Sequence, residues 1–199
     1  MNYRRMTRLG VALAMFIVMA VPVSVLASEN ERTPAAEPTP ALFEGDLIDM
    51  SSDWDGAGAC MVWPEAVDTP ECFRTEAEMD KRIAELERQL PQAEADIRQT
   101  LGSATMGVTY CSSSVRLYDG TSYTGAVLYL RGRQVWYNLV DSGFNQKTSS
   151  FKIGACSAYF ADLAGGTGDW YPTSQTQAYD VATSMASGWD NDVSSVWIT

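Results

Sequence analysis

Two stretches near the end of the chain repeat each other at a fixed distance. Residues 143–153 read GFNQKTSSFKI and residues 188–198 read GWDNDVSSVWI. Gly143 matches Gly188, Phe144 matches Trp189, Asn145 matches Asp190, Ser149 and Ser150 match Ser194 and Ser195, and Ile153 matches Ile198. Each pair is 45 residues apart. A repeat of that length is one supersecondary unit used twice, so the C-terminal half must fold as two copies of a common motif.

The rest of the chain is of a different character. Arg4, Arg5 and Arg8 precede an apolar run from Leu9 to Leu26, and small or apolar Val25 and Ala27 suit a cleavage site. Residues 1–27 are therefore read as a secretory signal peptide, and the mature protein as exported and extracellular. No later segment reaches the ~18 consecutive apolar residues of a membrane span, so no membrane contact is expected after cleavage. Removing the leader takes away three arginines and no acids, leaving 11 basic against 25 acidic side chains. A chain about fourteen charges negative repels nucleic acid and attracts cations.

The sequence contains no histidine. That excludes Ser-His-Asp and Cys-His nucleophile activation, a histidine general base and histidine metal ligands. Acids abound, but no carboxylate pair stands apart from the general excess, so an enzyme is not expected. The four cysteines, Cys60, Cys72, Cys111 and Cys156, form an even set in an exported chain and read as two disulfides. Three connectivities are possible. The sequential one, Cys60–Cys72 with Cys111–Cys156, keeps each bridge within one part of the chain.

Residues 28–52 carry three prolines and six acids and read as a flexible linker. Residues 53–103 read as a small α+β segment. It comprises a hairpin pinned by Cys60–Cys72, then a helix opened by a capping box of Thr75 and Glu78. Met79, Ile83, Leu86 and Leu90 fall on one helical face, continued past Pro91 by Ala93, Ile97 and Leu101. The stretch DWDGAG at 53–58 lacks the downstream ligands of an EF-hand and reads as a turn. From residue 104 the pattern becomes alternating Val, Tyr, Leu and Trp with frequent Gly, Asp, Ser and Asn, which is all-β.

A second signature opens each repeat: Tyr118 is followed seven residues later by Gly125, and Tyr159 by Gly166. An aromatic, six residues and a glycine, followed by [N/D][N/D]xx[S/T]S, resembles the Greek-key motif of βγ-crystallins. The resemblance implies a mainly β fold, a double Greek-key β-sandwich over 104–199, with motifs at 115–154 and 157–199. The stretch VWYNLVDSGFNQKTSSF is similar to bacterial secreted members, including the actinobacterial metalloproteinase-inhibitor type. From that family follow calcium loops whose ligands come from both motifs. Asp190, Asn191, Asp192 and Ser194 fit the second loop completely; Asn145 and Ser149 fit the first. Gln146 departs from the pattern there, and Lys147 brings a positive charge. One good calcium site and one weak or lost site are expected. Two functions follow from the resemblance. The first is a monomeric inhibitor of extracellular peptidases; the 164–177 stretch, where glycines and Pro172 flank Trp170 and Tyr171, is a candidate for its inhibitory loop. The alternative is a calcium-stabilised structural or interaction module of the cell exterior.

Overall fold

The computed structural model describes residues 37–101, 114–132, 134–172 and 175–199, the side chains of 91–101 excepted. All of them lie in one unit, Ala35–Thr199. The leader 1–27 and Cys111 fall outside the described residues.

The first ordered element is a hairpin of β1 (Pro40–Phe43) and β2 (Asp46–Asp49). Its two-residue corner places Glu44 and Gly45 at φ 53° and 95°. Positive φ at both corner positions matches the twist of the flanking strands. Here the expected linker is corrected: from Pro40 onward, residues 28–52 are a strand pair. The composition is that of a tether, yet Ala41 and Met50 are fully buried and β1 has a partner strand further along the chain.

That partner belongs to the second hairpin, β3 (Ala59–Val62) and β4 (Glu71–Phe73). Cys60 and Cys72 stand directly opposite each other and form the expected disulfide. Cys156 is also disulfide-bonded. Then α1 (Glu76–Leu101) runs through Pro91 as one element. Thr75 Oγ accepts from the Glu78 amide at 3.3 Å, as the capping box requires, but the Glu78 carboxylate accepts from the Arg74 amide rather than from Thr75.

The remaining strands are β5 (Ser114–Tyr118), β6 (Val127–Arg131), β7 (Trp136–Asn138), β8 (Ser150–Ile153), β9 (Ala158–Ala161), β10 (Val181–Ala182) and β11 (Ser195–Ile198). Their pairing interlocks the two repeats. β10, from the second repeat, joins β8, β5 and β6 of the first, while β7, from the first, joins β11 and β9 of the second. Each repeat lends one strand to the other's sheet, so neither could close its sheet alone. The inner faces of the two sheets share one core that includes Leu117, Leu130, Leu139, Phe151, Phe160, Val193 and Ile198.

The first sheet does not stop at β6. β3 pairs with β6 in parallel, from Ala59↔Val127 to Val62↔Leu130, and β4, β1 and β2 follow outward. The hairpin of the 53–103 segment, β3 and β4, is thus part of an eight-stranded sheet. α1 covers the outer face of this sheet. Met79, Ile83 and Leu86 are buried against Met61, Trp63, Tyr118, Val127 and Tyr129, with Leu90 partly buried beside them. Three such burials contribute about 1.5–3 kcal/mol each. The charged side chains fix the docking angle: Arg116 bridges Glu76 at 2.5 Å and Asp80 at 2.6 Å, and Arg82 bridges Glu71 at 2.8 Å. Tyr118 donates its hydroxyl to Glu76, and burial together with that carboxylate pushes its phenol up.

Candidate functional site

The two repeated stretches cross each other where the sheets meet. Gln146 and Asn191, 45 residues apart, both take the left-handed conformation, with φ 55° and 58°. The Gln146 amide donates to the Val193 carbonyl at 2.9 Å, and the Asn191 amide donates to the Thr148 carbonyl at 3.0 Å. These bonds are symmetry mates, since 146 and 148 correspond to 191 and 193. Each loop therefore holds its tight bend by bonding the other loop.

The serines that close the loops also act in matched pairs. Ser150 Oγ donates to the Gly120 carbonyl at 2.6 Å and accepts from the Tyr123 amide at 3.1 Å. Ser195 Oγ donates to the Leu163 carbonyl at 2.7 Å and accepts from the Gly166 amide at 3.0 Å. Both serines are fully buried and serve the corner of their own repeat.

Symmetry breaks at the preceding serines. Ser149 Oγ donates to the Asp190 carboxylate at 2.6 Å, with the Asn191 side-chain oxygen 3.4 Å away. Three oxygen-bearing side chains from both loops thus converge at one junction. At the mirror junction, no hydrogen bond links the Ser194 side chain to Asn145 among the described residues. The structure brings Ser149 together with Asp190 and Asn191, but it shows no such convergence of Ser194 with Asn145 and Gln146 among the described residues. The described residues hold no group of three His, Cys, Asp or Glu side chains arranged for a metal ion. A cation here would therefore need hydroxyl, amide and main-chain oxygens to complete its shell, which suits calcium better than zinc. The donor set at Ser149, Asp190 and Asn191 fits that requirement; the mirror junction offers less.

Lys147 and Asp192 lie at the turn of each loop. Lys147 is exposed and lines a polar recess with Asp53, Trp54 and Asp119 rather than filling a crossing. Thr148 is wholly buried, and its hydroxyl has no partner among the described residues. Its counterpart Val193 belongs to the shared core.

The opening signature pairs differently from the expectation. Asp119 accepts from the Ala126 amide at 2.7 Å, and Asp162 accepts from the Asp169 amide at 2.8 Å. The structural counterpart of Gly125 is consequently Gly168, both at φ 78°, and not Gly166. Ala161 stands where Tyr118 does, and Gly166 where Tyr123 does. In the first repeat, Tyr123 packs on Tyr118 with ring centroids 5.6 Å apart. In the second, Trp136 from β7 fills that space, lying where a Gly166 side chain would be.

The proposed inhibitory loop divides. Trp170 is 39% exposed, but Tyr171 is only 8% exposed and packs against Phe151, Phe160 and Trp189. Tyr171 is a core residue, because strand alternation turns it inward once Trp170 faces out. Sequence reasoning also missed Trp54. Its indole N–H donates to the Ser142 carbonyl at 2.9 Å, and its ring stacks on Phe144 at 5.6 Å, fastening the N-terminal extension to the first loop. A tryptophan inside DWDGAG was the only available signal.

No family model matches the chain, and no curated protein matches it. Solved structures do. A βγ-crystallin from Ciona intestinalis is 20% identical, covering 43% of this chain and 99% of its own, with a TM-score of 0.37. A βγ-crystallin domain from Flavobacterium johnsoniae is 22% identical over 43% of this chain and 92% of its own, TM-score 0.34. One from Clostridium beijerinckii is 18% identical over 43% and 95%, TM-score 0.36. The fold is βγ-crystallin-like. What carries that statement is the exchange of β7 and β10 between the paired Greek keys, to which this chain adds four strands and a helix.

Proposed function

We propose that this protein is a non-enzymatic, secreted interaction module whose βγ-crystallin-like domain is stabilised by calcium at the first loop crossing. The observation that carries the reading is the 2.6 Å contact of Ser149 with Asp190, made between loops of different repeats. A hard cation held by Ser149, Asp190 and Asn191, with main-chain oxygens completing the shell, ties the repeats together at the point where they exchange strands. Export is supported by the Arg-led apolar leader and by the Cys60–Cys72 disulfide. Among the described residues no helix is long and apolar enough to cross a membrane.

The mirror crossing binds weakly in this reading, because Gln146 replaces a shorter side chain and Lys147 adds positive charge. Calorimetric titration of the mature protein with calcium tests it: one dominant site is expected, abolished by Asp190→Ala. Two equal sites, or none, would refute it.

Inhibition of extracellular peptidases is the second reading, and the exposure of Trp170 is what favours it. With Tyr171 in the core, such an inhibitor would present Trp170 and its neighbours alone. Residual activity of secreted metallo- and serine peptidases incubated with the mature protein distinguishes the two readings.

A further inference from the structure

The two Greek keys are treated unequally at one edge. In the first sheet, Tyr118↔Val127 is followed outward by β3, and the Val127 amide donates to the Gly58 carbonyl at 3.0 Å. The corresponding pair in the second sheet is Ala161↔Trp170, reached by the same 43-residue shift that relates the two Asp-bound corners. There the neighbouring backbone groups point inward, the Asp162 amide to the Asp169 carbonyl and the Tyr171 amide to the Phe160 carbonyl. Trp170 itself therefore turns its amide and carbonyl outward, and among the described residues no strand lies beside it. What β3 covers on one sheet is open on the other.

The surroundings of that edge say what would cover it. Trp170 and Trp189, with Gly168 and Asp169, line an open cleft of about 510 Å³. The Trp170 ring is held from behind by Tyr159 at 4.9 Å and Trp136 at 6.1 Å, so its exposed side is presented rather than mobile. From Ile153 to the last residue there are five aspartates, Asp162, Asp169, Asp180, Asp190 and Asp192, and neither lysine nor arginine. Asp169 has no ion pair among the described residues. Indole faces beside a carboxylate attract ammonium and guanidinium groups, and an unpaired strand edge accepts an extended chain.

We infer that the open edge at Trp170 is a docking site for an extended, lysine- or arginine-bearing polypeptide. The partner adds as a strand beside Trp170, as β3 adds beside Val127, and places a cationic side chain between Trp170, Trp189 and Asp169. The inference does not rest on calcium binding, since none of these contacts uses the loop crossing.

The test uses the mature protein in excess calcium at low ionic strength. The probe is a capped six-residue peptide of alternating lysine and valine, followed by indole fluorescence and by the amide and indole resonances of Trp170. Binding is expected, with the Trp170 signals shifting most. Trp170→Ala should weaken it about tenfold or more, and Asp169→Asn measurably. Leu47→Ser, at an exposed apolar side chain on β2 in the other sheet, should leave it unchanged. Methylating alternate peptide amides should abolish binding, because it removes the edge hydrogen bonds. Failure to bind, equal binding of the glutamate–valine peptide, or full binding by the methylated peptide would overturn the inference. If Trp170→Ala does not fold, Asp169→Asn and the wild-type resonances still decide it. Loss of binding on Asp190→Ala with Trp170 unshifted would place the peptide at the loop crossing and also overturn it.

Discussion

Ser149 and Asp190, 41 residues apart in the chain, meet through a 2.6 Å hydrogen bond from the serine hydroxyl to the carboxylate. The bond joins the closing loops of the two Greek keys. Around it, the Gln146–Val193 and Asn191–Thr148 bonds make each loop's bend depend on its partner. Stability is therefore a property of the paired motifs together.

Thr148 breaks this symmetry without visible benefit to the fold. Its hydroxyl is fully buried and unpartnered among the described residues, and its counterpart is Val193. Thr148→Val keeps the shape and removes an unsatisfied polar group, so it should stabilise the protein by about 1–2 kcal/mol. Chemical denaturation checks this; a loss of stability would mean the hydroxyl has a role at the crossing.

Gln146 is the weak member of the first loop on two counts. It holds φ 55°, a conformation that asparagine tolerates better than glutamine. Gln146→Asn should raise the melting temperature slightly in chelator and further in calcium, as the mirror crossing gains a ligand. Equal shifts in both conditions would show that only backbone strain was relieved.

Gly165 and Gly166 are adjacent, and both have positive φ, at 65° and 75°. Only Gly166 lies under the Trp136 ring, whereas space around Gly165 is open. Gly166→Ala should therefore destabilise more than Gly165→Ala, by at least about 1 kcal/mol, since overpacking adds to backbone strain. Equal effects would remove Trp136 from the corner.

Asp49 fastens the β1–β2 hairpin by accepting from the Ser51 hydroxyl at 2.7 Å and from the Thr39 amide at 2.9 Å. The Ser51 hydroxyl first, then the Thr39 amide, lowers its pKa below the ordinary 3.8. A depressed carboxylate stabilises above its unfolded pKa, and the contribution is lost as pH falls through the folded value. Protection of the amides of residues 40–49, relative to their intrinsic exchange rates, should therefore fall below pH ~3.8, and Asp49→Asn should flatten that acid dependence. Protection equally acid-sensitive in the variant would assign the effect to other groups.

The sequence revealed the paired motifs because both loop crossings are built from short, polar, position-specific residues. The 45-residue offset between Gln146 and Asn191 survives intact in space. The corner signature was misread because Trp136, distant in sequence, replaces a local aromatic over Gly166, and the true offset there is 43 residues. β1 was hidden for a related reason. Four residues beginning with proline carry no period, and the partner that orders them, β4, is reached only through parallel pairing at Leu42↔Glu71 and Phe43↔Cys72. Tyr171 was placed outside because a glycine-rich neighbourhood suggested a loop, whereas its ring completes an aromatic group with Phe151 and Phe160.

Thermal melts of the mature protein in chelator and in excess calcium, alongside Asp190→Ala, test the central claim most directly. Binding only to the folded state adds RT ln(1 + [L]/Kd), about 2.7 kcal/mol at one hundred times Kd. For a domain of this size that raises the melting temperature by roughly 5–10 °C. The expected result is such a shift in the wild type and its near disappearance in Asp190→Ala. Superimposable wild-type curves in chelator and calcium would contradict calcium stabilisation and leave the Ser149–Asp190 contact as a purely structural bond.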